Sequence, residues 1–576
     1  DPACGTGTFL AEVVRHIHQS FEGQQGLWSQ YVEDHLIPRL NGFELLMASY
    51  AMAHLKLSLL LEESGYKPQR EQRFRVYLTN SLEEHHQDTG TLFANWLSTE
   101  ANEANHIKRD TPVMCVIGNP PYSGISSNNG KWISDLIEDY KYVDGVHFNE
   151  RKHWLNDDYV KFIRYGQHFI EKNGSGVLAF INPHGFIDNP TFKGMRWHLL
   201  RTYDKIYVLD LHGNSKKKEC APDGSADINV FDIQQGVSIN IFVKTGKKRA
   251  NDLGEVFHCD FYGKRELKYH FLSNSSLHNV QFKKLEYSSP YFFFVPKDDS
   301  QKQSYLKGFS INEIFLSRSA GFVSANDFLN ISFTKKEQQV KIEELLCLEE
   351  ANWRQKYKRL KDARDWTYDT ARNDAERVSE DMFQEVTYRP FDYRWSCYSG
   401  NSRGLYSSPQ PEIMRYLSDT NNALILPKQV PDKEAASCFI SKFKAGHKSC
   451  SAYNTNSLFP LYAYPESNAQ QTIDQQQRTP NLNAKILKQI AENIGLTFTN
   501  EKEVPENTFA PIDILDYIYA VLHSPTYRER YKEFLKIDFP RVPYPKDKEV
   551  FWQLVKLGGE LRQIHLLESP RVEQFI

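Results

Sequence analysis

Residues 113–117 (Val-Met-Cys-Val-Ile) form a short apolar run that ends abruptly at a glycine, an asparagine and two prolines. A run of this length, bounded by turn residues, is typical of a strand that is buried on both faces of a sheet. Further runs of this kind occupy residues 176–181, 206–211 and 237–243, and segments with helical periodicity alternate with them. This alternation predicts an α/β fold built on a mostly parallel, doubly wound, Rossmann-like sheet.

Additional elements are predicted around these strands from the spacing of apolar residues. They are helices over residues 9–20, 45–61 and 158–171, short strands over 41–44 and 74–78, and an aromatic strand over 291–295.

The chain is long enough for two domains. Its 576 residues, 40% of them hydrophobic, exceed the roughly 250–300 residues at which a single core stops growing. We predict an α/β domain over residues 1–300 and a mixed α+β domain over residues 301–576. The second domain is expected to contain a long charged segment at 335–385 that forms a connecting helix or a helix pair, and a strand at 422–426. An exposed Gln-rich loop is expected at 469–478, followed by C-terminal helices at 512–535 and 551–567.

A glycine turn stands at the start of the sequence, in Asp1-Pro2-Ala3-Cys4-Gly5-Thr6-Gly7-Thr8-Phe9. Gly5 and Gly7 allow the backbone to turn sharply before a helix and allow a ligand to approach the main chain closely. Such a turn at the carboxyl end of a strand is where doubly wound sheets bind ligands. Nucleotide-binding and purely structural turns share the two glycines, so the turn alone does not decide between them.

A second motif, Asn119-Pro120-Pro121-Tyr122, follows the apolar run at 113–117. An exocyclic amine is a poor nucleophile because its lone pair is delocalised into the ring. The side-chain oxygen of Asn119 and the carbonyl oxygen of Pro120 can each accept one amino hydrogen, and both bonds strengthen as the nitrogen becomes positive. The two prolines fix the backbone so that the acceptors converge, and Tyr122 offers a face for stacking. The alternative is a rigid turn with no chemistry.

Together the two motifs resemble those of DNA adenine-N6 methyltransferases of the γ-type order, in which the cofactor motif precedes the catalytic motif and target recognition comes last. The resemblance implies S-adenosylmethionine as cofactor, wrapped by Asp1, Ala3, Cys4, Gly5, Gly7 and Phe9. It also implies that Asn119, Pro120, Pro121 and Tyr122 act on an adenine flipped out of a duplex.

Three further positions follow from this resemblance. Glu44 resembles the acidic residue that binds the cofactor ribose hydroxyls, although a surface glutamate near a helix start is the alternative. Asn80 lies where relatives often hold an Asp that accepts from the cofactor adenine, and this sequence departs from that pattern. Phe231 is expected either to pack on the flipped base or to be a core residue.

Several longer strings are similar to the type ISP restriction-modification enzymes, single polypeptides with nuclease, helicase, methyltransferase and specificity parts. These strings occupy residues 155–164, 210–214, 229–236, 388–394, 459–462, 516–525, 527–531 and 538–541. The resemblance implies that residues from about 300 to 576 are a DNA-specificity domain and that double-stranded DNA is the partner. Arg389, Arg394, Arg403 and Arg415 are candidate phosphate or guanine contacts, whereas Arg528 and Arg530 fit helix-surface ion pairs equally well.

The helicase and nuclease parts of those enzymes are not found in this sequence. It contains no Gly-x-x-x-x-Gly-Lys-Thr string and no nuclease signature. Asp1 lies inside the glycine motif, so a strand and a further cofactor motif are expected upstream of it. We therefore expect the chain to be a piece of a longer polypeptide, fused to or working with those parts.

The charge and the cysteine content of the chain limit which partners, metal sites and cellular compartments are expected. The formal net charge of −3 does not indicate nucleic-acid binding, but a local basic face is sufficient for it. The basic runs 216–218 and 247–249 are either phosphate contacts or solvated loops. The eight cysteines include no Cys-x-x-Cys pair, so no metal site is expected, and no apolar run approaches the roughly 18 residues of a membrane span. A cytoplasmic, membrane-free protein is predicted.

Three alternatives remain open. A methyltransferase acting on glutamine in a protein shares Asn-Pro-Pro-Tyr because an amide nitrogen is also planar and unreactive, but the long C-terminal half argues against it. A cytosine-N4 enzyme usually carries Ser-Pro-Pro-Tyr, so Asn119 favours adenine. A catalytically silent DNA-specificity module is the third, and cofactor binding separates it from an enzyme.

Overall fold

The computed structural model describes residues 1–70, 72–84, 95–124, 126–148, 153–249, 251–417, 420–430, 438–450, 454–465, 478–503 and 507–574, with the backbone alone for 95–99 and 153. The described chain divides into two compact units, Asp1–Lys297 and Asp298–Ile576. The predicted Gln-rich loop lies outside the described residues except at Arg478. Within the described residues no helix has both the length and the apolar character needed to cross a membrane.

The first unit alternates helices and strands, as predicted. Its helices are α1 (Thr8–Gln19), α2 (Gln25–Tyr31), α3 (Ile37–Arg39), α4 (Met47–Glu63), α5 (Asn95–Asp110), α6 (Lys131–Glu138), α7 (Asp158–Asn173), α8 (Gly185–Asp188), α9 (Lys193–Thr202) and α10 (Arg265–Ser273), with a π-helical turn at Val32–Leu36 and 3-10 turns at Asp139–Lys141, His153–Asn156 and Pro190–Phe192. Its strands are β1 (Asn41–Glu44), β2 (Arg75–Leu78), β3 (Cys115–Gly118), β4 (Tyr142–Val143), β5 (Val146–His147), β6 (Gly176–Pro183), β7 (Lys205–Asp210), β8 (Val237–Lys244), β9 (Glu255–Asp260) and β10 (Lys283–Leu285).

Six of these strands form the central sheet, in the order β10-β9-β7-β8-β6-β3. β3 is parallel to β6, β7 is parallel to β9, and β8 runs antiparallel between β6 and β7. Four strands, β3, β6, β7 and β9, therefore run in one direction, and their carboxyl ends meet at one edge of the sheet. β8 and β10 run the other way, which the apolar runs could not reveal because a strand buried on both faces reads alike in either direction.

The glycine turn and α1 pack against a separate two-stranded sheet, the parallel pair of β1 and β2. Leu10, Ala11 and Val14 turn one face of α1 into the core at helical spacing. A cavity of about 560 Å³ lies along β1 and β3, bordered by Asp1 at one end and by Phe169 of α7. The strand expected upstream of Asp1 stays a prediction.

The second unit is mixed α+β, as predicted. Its helices are α11 (Lys302–Leu306), α12 (Ile311–Ile314), α13 (Asp327–Asn330), α14 (Lys335–Cys347), α15 (Glu350–Lys356), α16 (Tyr368–Ala375), α17 (Pro411–Met414), α18 (Ala484–Ile494), α19 (Pro511–His523), α20 (Pro525–Leu535) and α21 (Lys548–His565), with 3-10 turns at Glu380–Met382 and Val572–Gln574. Its strands are β11 (Phe309–Ser310), β12 (Phe383–Arg389), β13 (Asp392–Cys397), β14 (Ala423–Pro427), β15 (Phe439–Ser441), β16 (Lys444–Ala445), β17 (Asn456–Pro460), β18 (Tyr462–Ala463), β19 (Thr479–Pro480), β20 (Thr497–Phe498), β21 (Thr508–Phe509) and β22 (Arg541–Val542).

Two small sheets, β13-β12-β16 and β15-β14-β17, anchor this unit. β14 is buried along its whole length, and α19 packs against α21. Asp516 of α19 and Arg562 of α21 form a largely buried ion pair with an Nε–Oδ1 distance of 2.6 Å.

Two predicted elements are wrong. The segment at 335–385 contains three helices rather than one helix or a pair, because the chain is extended at Leu348 and Thr367 opens a further helix through a capping box. Residues 291–295 form a turn and not a strand. Phe294 is fully buried and donates its N–H to the carbonyl of Ile187 at 2.9 Å, so the aromatic side chains close over α8 and not along a sheet edge.

Candidate active site

The glycine turn is held by backbone hydrogen bonds to β1 and to itself. The N–H of Cys4 donates to the carbonyl of Phe43 at 2.9 Å, and the N–H of Gly7 donates to the carbonyl of Cys4 at 2.8 Å. Gly5 and Gly7 have φ of +54° and +74°, the left-handed region that favours glycine. Burial raises the pKa of the Cys4 thiol to about 11, which leaves it neutral and makes it part of the packing. Phe9 follows in the first turn of α1 and is half-buried.

Asp1 joins the glycine turn to the catalytic motif. Its Oδ1 accepts the N–H of Ala3 at 3.1 Å, while its Oδ2 is buried with no hydrogen-bond partner among the described residues. A Cβ on Gly118 would stand 2.6 Å from Asp1 Oδ1, so a side chain at position 118 would displace the Asp1 carboxylate from this place. The carboxylate of the cofactor motif therefore lies against the end of β3, and its orphaned oxygen is an acceptor left for a ligand.

Glu44, at the end of β1, accepts backbone N–H groups from the glycine turn and from the two residues that lead into α4. Its Oε2 accepts the N–H of Gly5 at 2.8 Å, and its Oε1 accepts the N–H groups of Leu45 at 3.0 Å and Leu46 at 2.8 Å. A carboxylate has about four acceptor positions. The three bonds use most of them, so the predicted contact with ribose hydroxyls falls mainly to Oε2.

Asn80 lies on the loop after β2, which is tied to the glycine turn. Ser81 donates its hydroxyl to the carbonyl of Pro2 at 2.5 Å. Buried Lys108 donates to the carbonyl of Asn80 at 2.7 Å, and burial lowers the pKa of Lys108 to about 8. The Asn80 side chain donates from Nδ2 to Asn128 Oδ1 at 3.0 Å and accepts the N–H of Leu82 on Oδ1 at 3.0 Å. Its predicted contact with the cofactor is not tested by these bonds.

The Asn-Pro-Pro-Tyr segment continues directly from β3. Asn119 and Pro121 are exposed, Pro120 is buried and Tyr122 is half-buried. The Tyr122 hydroxyl donates to Asn119 Oδ1 and also lies 3.1 Å from the carbonyl oxygen of Ile181. Burial raises the pKa of Tyr122 well above its ordinary value, so the hydroxyl stays protonated as a donor. In this state Tyr122 covers the oxygen that the chemistry requires.

Phe231 lies near the catalytic motif in the folded unit. It is half-buried and packs, together with Tyr122, against the small cluster formed by Leu209, Leu211, Val230 and Val237. The structure thus brings these two predicted aromatic residues to one patch, although they are more than a hundred positions apart in the sequence. Base stacking and simple packing both remain compatible with this placement.

Two networks near this edge were not predicted from individual residues. In the first, His184 Nδ1 lies 2.9 Å from Asp210 Oδ1, and His212 lies 2.8 Å from Asp260 Oδ1 and 3.1 Å from Glu219 Oε1. Ligand atoms of His184, Asp210 and His212 all lie within 4.8 Å of one another. Burial alone lowers the pKa of His212, but its bonds to Asp260 and Glu219 outweigh burial and raise it to about 10. These histidines and carboxylates form one hydrogen-bonded network at the carboxyl ends of β7 and β9.

The second network stands behind the catalytic loop, at the start of α7. Asp158 accepts the hydroxyl of Ser123 at 2.7 Å, and Lys161 donates to the hydroxyl of Ser126 at 2.9 Å. Both charged side chains are buried. Asp158 and Lys161 lie in the string at 155–164, and His212 lies in the string at 210–214, so the family strings were the only sequence signal for either network.

In the second unit, the arginines proposed to contact DNA have varied surroundings. Arg394 forms a bidentate pair with Asp392, with both N–O distances at 2.8 Å, and lies 4.2 Å from the ring centre of Phe333. Arg389 lies 4.1 Å from the ring centre of Tyr388. These positions neither assign nor remove a DNA contact.

Comparisons with known families match two parts of the chain. Residues 41–216 match the Eco57I restriction-modification methylase family, and residues 313–576 match the Type ISP C-terminal specificity domain. No curated protein matches the chain.

Several solved structures share the fold along nearly the whole chain. One is an ATP-dependent Type ISP restriction-modification enzyme, LlaBIII, bound to DNA, with a TM-score of 0.75 and 20% identity over 98% of this chain and 37% of that one. A nuclease-deletion mutant of the Type ISP enzyme LlaGI with a DNA substrate mimic has a TM-score of 0.69 and 21% identity over 98% and 44% of the two chains. A DrdV–DNA complex has a TM-score of 0.69 and 21% identity over 98% and 54%.

This chain therefore spans between 37% and 54% of the length of those three enzymes. At this identity the structural likeness establishes the fold, and the family matches establish the two domain types. The predicted resemblance is confirmed at the level of two regions: residues 41–216 match the Eco57I restriction-modification methylase family, and residues 313–576 match the Type ISP C-terminal specificity domain.

Proposed function

We propose that the chain transfers a methyl group from S-adenosylmethionine to N6 of an adenine in double-stranded DNA, as part of a restriction-modification system. The observation that carries this proposal is the contact of Asp1 with the end of β3. The cofactor-type glycine turn and the amine-accepting Asn119 are adjacent in space because Gly118 admits the Asp1 carboxylate.

The residues of the turn fit the proposed cofactor. Its ammonium and hydroxyl groups need acceptors, and Asp1 Oδ2 and Glu44 Oε2 offer them. A Cβ on Gly5 would meet no atom within 4 Å, so a ligand has room to approach the backbone there. When bound, the cofactor supplies an electrophilic methyl group.

Asn119 and Pro120 would act on the amine. Each oxygen accepts one amino hydrogen, which holds the nitrogen lone pair out of conjugation and stabilises the positive charge that develops on nitrogen. The Tyr122 hydroxyl holds Asn119 Oδ1 until the amine arrives and must then give up this bond. Freed from Asn119, it keeps the carbonyl of Ile181 as a partner at 3.1 Å.

The target-recognition role is proposed for the second unit. It rests on the match of residues 313–576 to the Type ISP specificity family. Upstream helicase and nuclease parts are proposed as partners because the matched enzymes are longer than this chain. The cytoplasmic location stays a prediction.

Alanine at Asn119 tests the chemistry. Asn119→Ala should lower kcat for methyl transfer by about 10²–10³ or more, because one preorganised acceptor is removed, while cofactor affinity stays within a few-fold of the parent. A variant that methylates DNA at the parent rate would remove Asn119 from the mechanism. Methyl transfer to a protein amide instead of DNA would support the glutamine-modifying alternative.

A further inference from the structure

Asn128, in the loop that follows the catalytic tetrapeptide, is held by three hydrogen bonds within this loop and to α7. Its N–H donates to Ser126 Oγ at 3.0 Å, its side-chain Nδ2 donates to Asp158 Oδ1 at 3.0 Å, and its carbonyl accepts from Lys161. Asp158 and Lys161 are 6% and 1% exposed, so both anchors belong to the buried start of α7. The backbone and the side chain of Asn128 therefore have little freedom to rotate.

These anchors determine which way the Asn128 amide faces. Asp158 is a carboxylate and only accepts, so the NH₂ group of Asn128 must point at it. The carbonyl oxygen Oδ1 must then point the other way, and it accepts from Asn80 Nδ2 at 3.0 Å. Asn80 Nδ2 also donates to Glu83 Oε1 at 3.1 Å, so both of its hydrogens are used.

We propose that Asn128 is a positioning residue that holds the Asn80 amide together with Leu82 and Glu83, and that Asp158 sets the polarity of the relay formed by Asn80, Asn128 and Asp158. The inference rests on the proposed function, since Asn80 is assigned to the cofactor side of the site. It requires an amide and not a carboxylate at position 80. An Asp at that position would place a carboxylate oxygen against Asn128 Oδ1, and Asn128 cannot turn over while Asp158 holds its NH₂ group.

The relay also couples the two halves of the site. Asn80 follows β2 on the cofactor side, whereas Asn128 follows the catalytic motif after β3, and Asp158 is anchored on α7. Loss of Asn128 would leave the Asn80 amide held by Leu82 and Glu83 alone and would remove the bond between the catalytic loop and the cofactor loop. We expect this change to weaken cofactor binding before it affects folding, because Asn128 is only half-buried.

The first test compares Asn128→Ala with Asn129→Ala, its exposed neighbour, whose Nδ2 makes one long bond of 3.4 Å to the Ser126 carbonyl. The dissociation constant of S-adenosylmethionine is measured by calorimetry, and KM and kcat are measured separately. Asn128→Ala should raise both the dissociation constant and the KM for S-adenosylmethionine about tenfold with kcat little changed, whereas Asn129→Ala should stay within about twofold of the parent. Equal affinities for the two variants would overturn the proposal.

The second test addresses polarity with a double-mutant cycle of Asn80→Asp and Asp158→Asn. Each single change should weaken cofactor binding. The double variant should bind more tightly than Asn80→Asp alone, because the carboxylate and the amide have then exchanged places and Asn128 can reverse its own amide between them. Additive losses would contradict the relay. Failure of the parent to bind S-adenosylmethionine would instead contradict the proposed function, and the inference would fall with it.

Discussion

The two glycines of the turn have similar backbones but different surroundings, and this difference gives a sharp prediction. Both have positive φ, so alanine at either position costs about 1–2 kcal/mol of backbone strain. A Cβ on Gly5 would meet nothing within 4 Å, whereas a Cβ on Gly7 would lie 3.2 Å from the Cβ of Ala53 and 3.4 Å from its Cα. Crowding a packed contact of this kind costs about 1–3 kcal/mol more.

Gly5→Ala should therefore lower the free energy of unfolding by about 1–2 kcal/mol and Gly7→Ala by about 2–5 kcal/mol. For the affinity for S-adenosylmethionine, we expect Gly5→Ala to be the more harmful of the two substitutions. The open space beside Gly5 is where the cofactor is proposed to approach the backbone, so a methyl group there should raise the dissociation constant of S-adenosylmethionine at least tenfold, or about 1.4 kcal/mol.

Urea unfolding and calorimetry, on the same preparations, measure the two quantities. Gly65→Ala is the matched control, because Gly65 has φ of +79° with nothing within 4 Å of its Cβ position and lies at the end of α4, outside the proposed site. It should cost similar stability to Gly5→Ala and leave binding unchanged. If Gly5→Ala binds the cofactor as tightly as Gly65→Ala does, the assignment of the cofactor to this turn is refuted.

Three further outcomes are expected. Glu44→Gln removes the charge from an acceptor of three backbone N–H bonds, so cofactor affinity measured by calorimetry should fall about 10–100-fold, and an unchanged affinity would make Glu44 a surface residue. Tyr122→Ala should lower kcat/KM for DNA about tenfold or more, because base stacking is lost. Tyr122→Phe removes only the hydroxyl and should lower kcat/KM less, so equal losses in the two variants would exclude the stacking role. The raised pKa of His212 contributes stability that is fully present below pH 6.5 and is lost as the pH rises through about 10. In this pH range the free energy of unfolding of the parent should fall by up to about 1.4 kcal/mol per pH unit, and His212→Gln should remove this fall. The same slope in urea titrations of both proteins would reject the ion network.

Strands β3, β6, β7 and β8 of the central sheet and the two motifs could be predicted because their signals are local, whereas β9 and β10 were not predicted. The run at 113–117 is apolar throughout and ends in a turn, and the structure places β3 there with Asn119 directly after it. Glycine at positions 5 and 7 favours positive φ, and both residues have positive φ in the structure. These features depend on residues that are neighbours in the sequence.

The two wrong predictions concern segments whose structure depends on which side chains are buried, and the spacing of apolar residues along the sequence does not encode this. Residues 335–385 have helical spacing throughout, but Trp353 and Trp366 are both buried, and a single long helix could not have turned both into one core. The capping threonine at 367 was a visible signal for the break. The segment at 291–295 has the composition of a strand, yet its partner is α8, and a single sequence does not name the partner.

The polar networks were also beyond the sequence. Asp158 and Asn128 are thirty positions apart, and nothing local marks either as a partner of the other. The same holds for His212, in the loop after β7, and Asp260, at the end of β9. Asp158 and His212 are buried, Asn128 is half-buried and Asp260 is exposed, and only the fold shows that each pair is in contact.

The central claim is tested most directly by transfer of a labelled methyl group from S-adenosylmethionine to duplex DNA, followed by analysis of the modified base, with the parent protein and Asn119→Ala side by side. The account predicts label on N6 of adenine with the parent protein and its loss with Asn119→Ala, although the variant still binds the cofactor. Label on another base or on protein, or full transfer by Asn119→Ala, would contradict it.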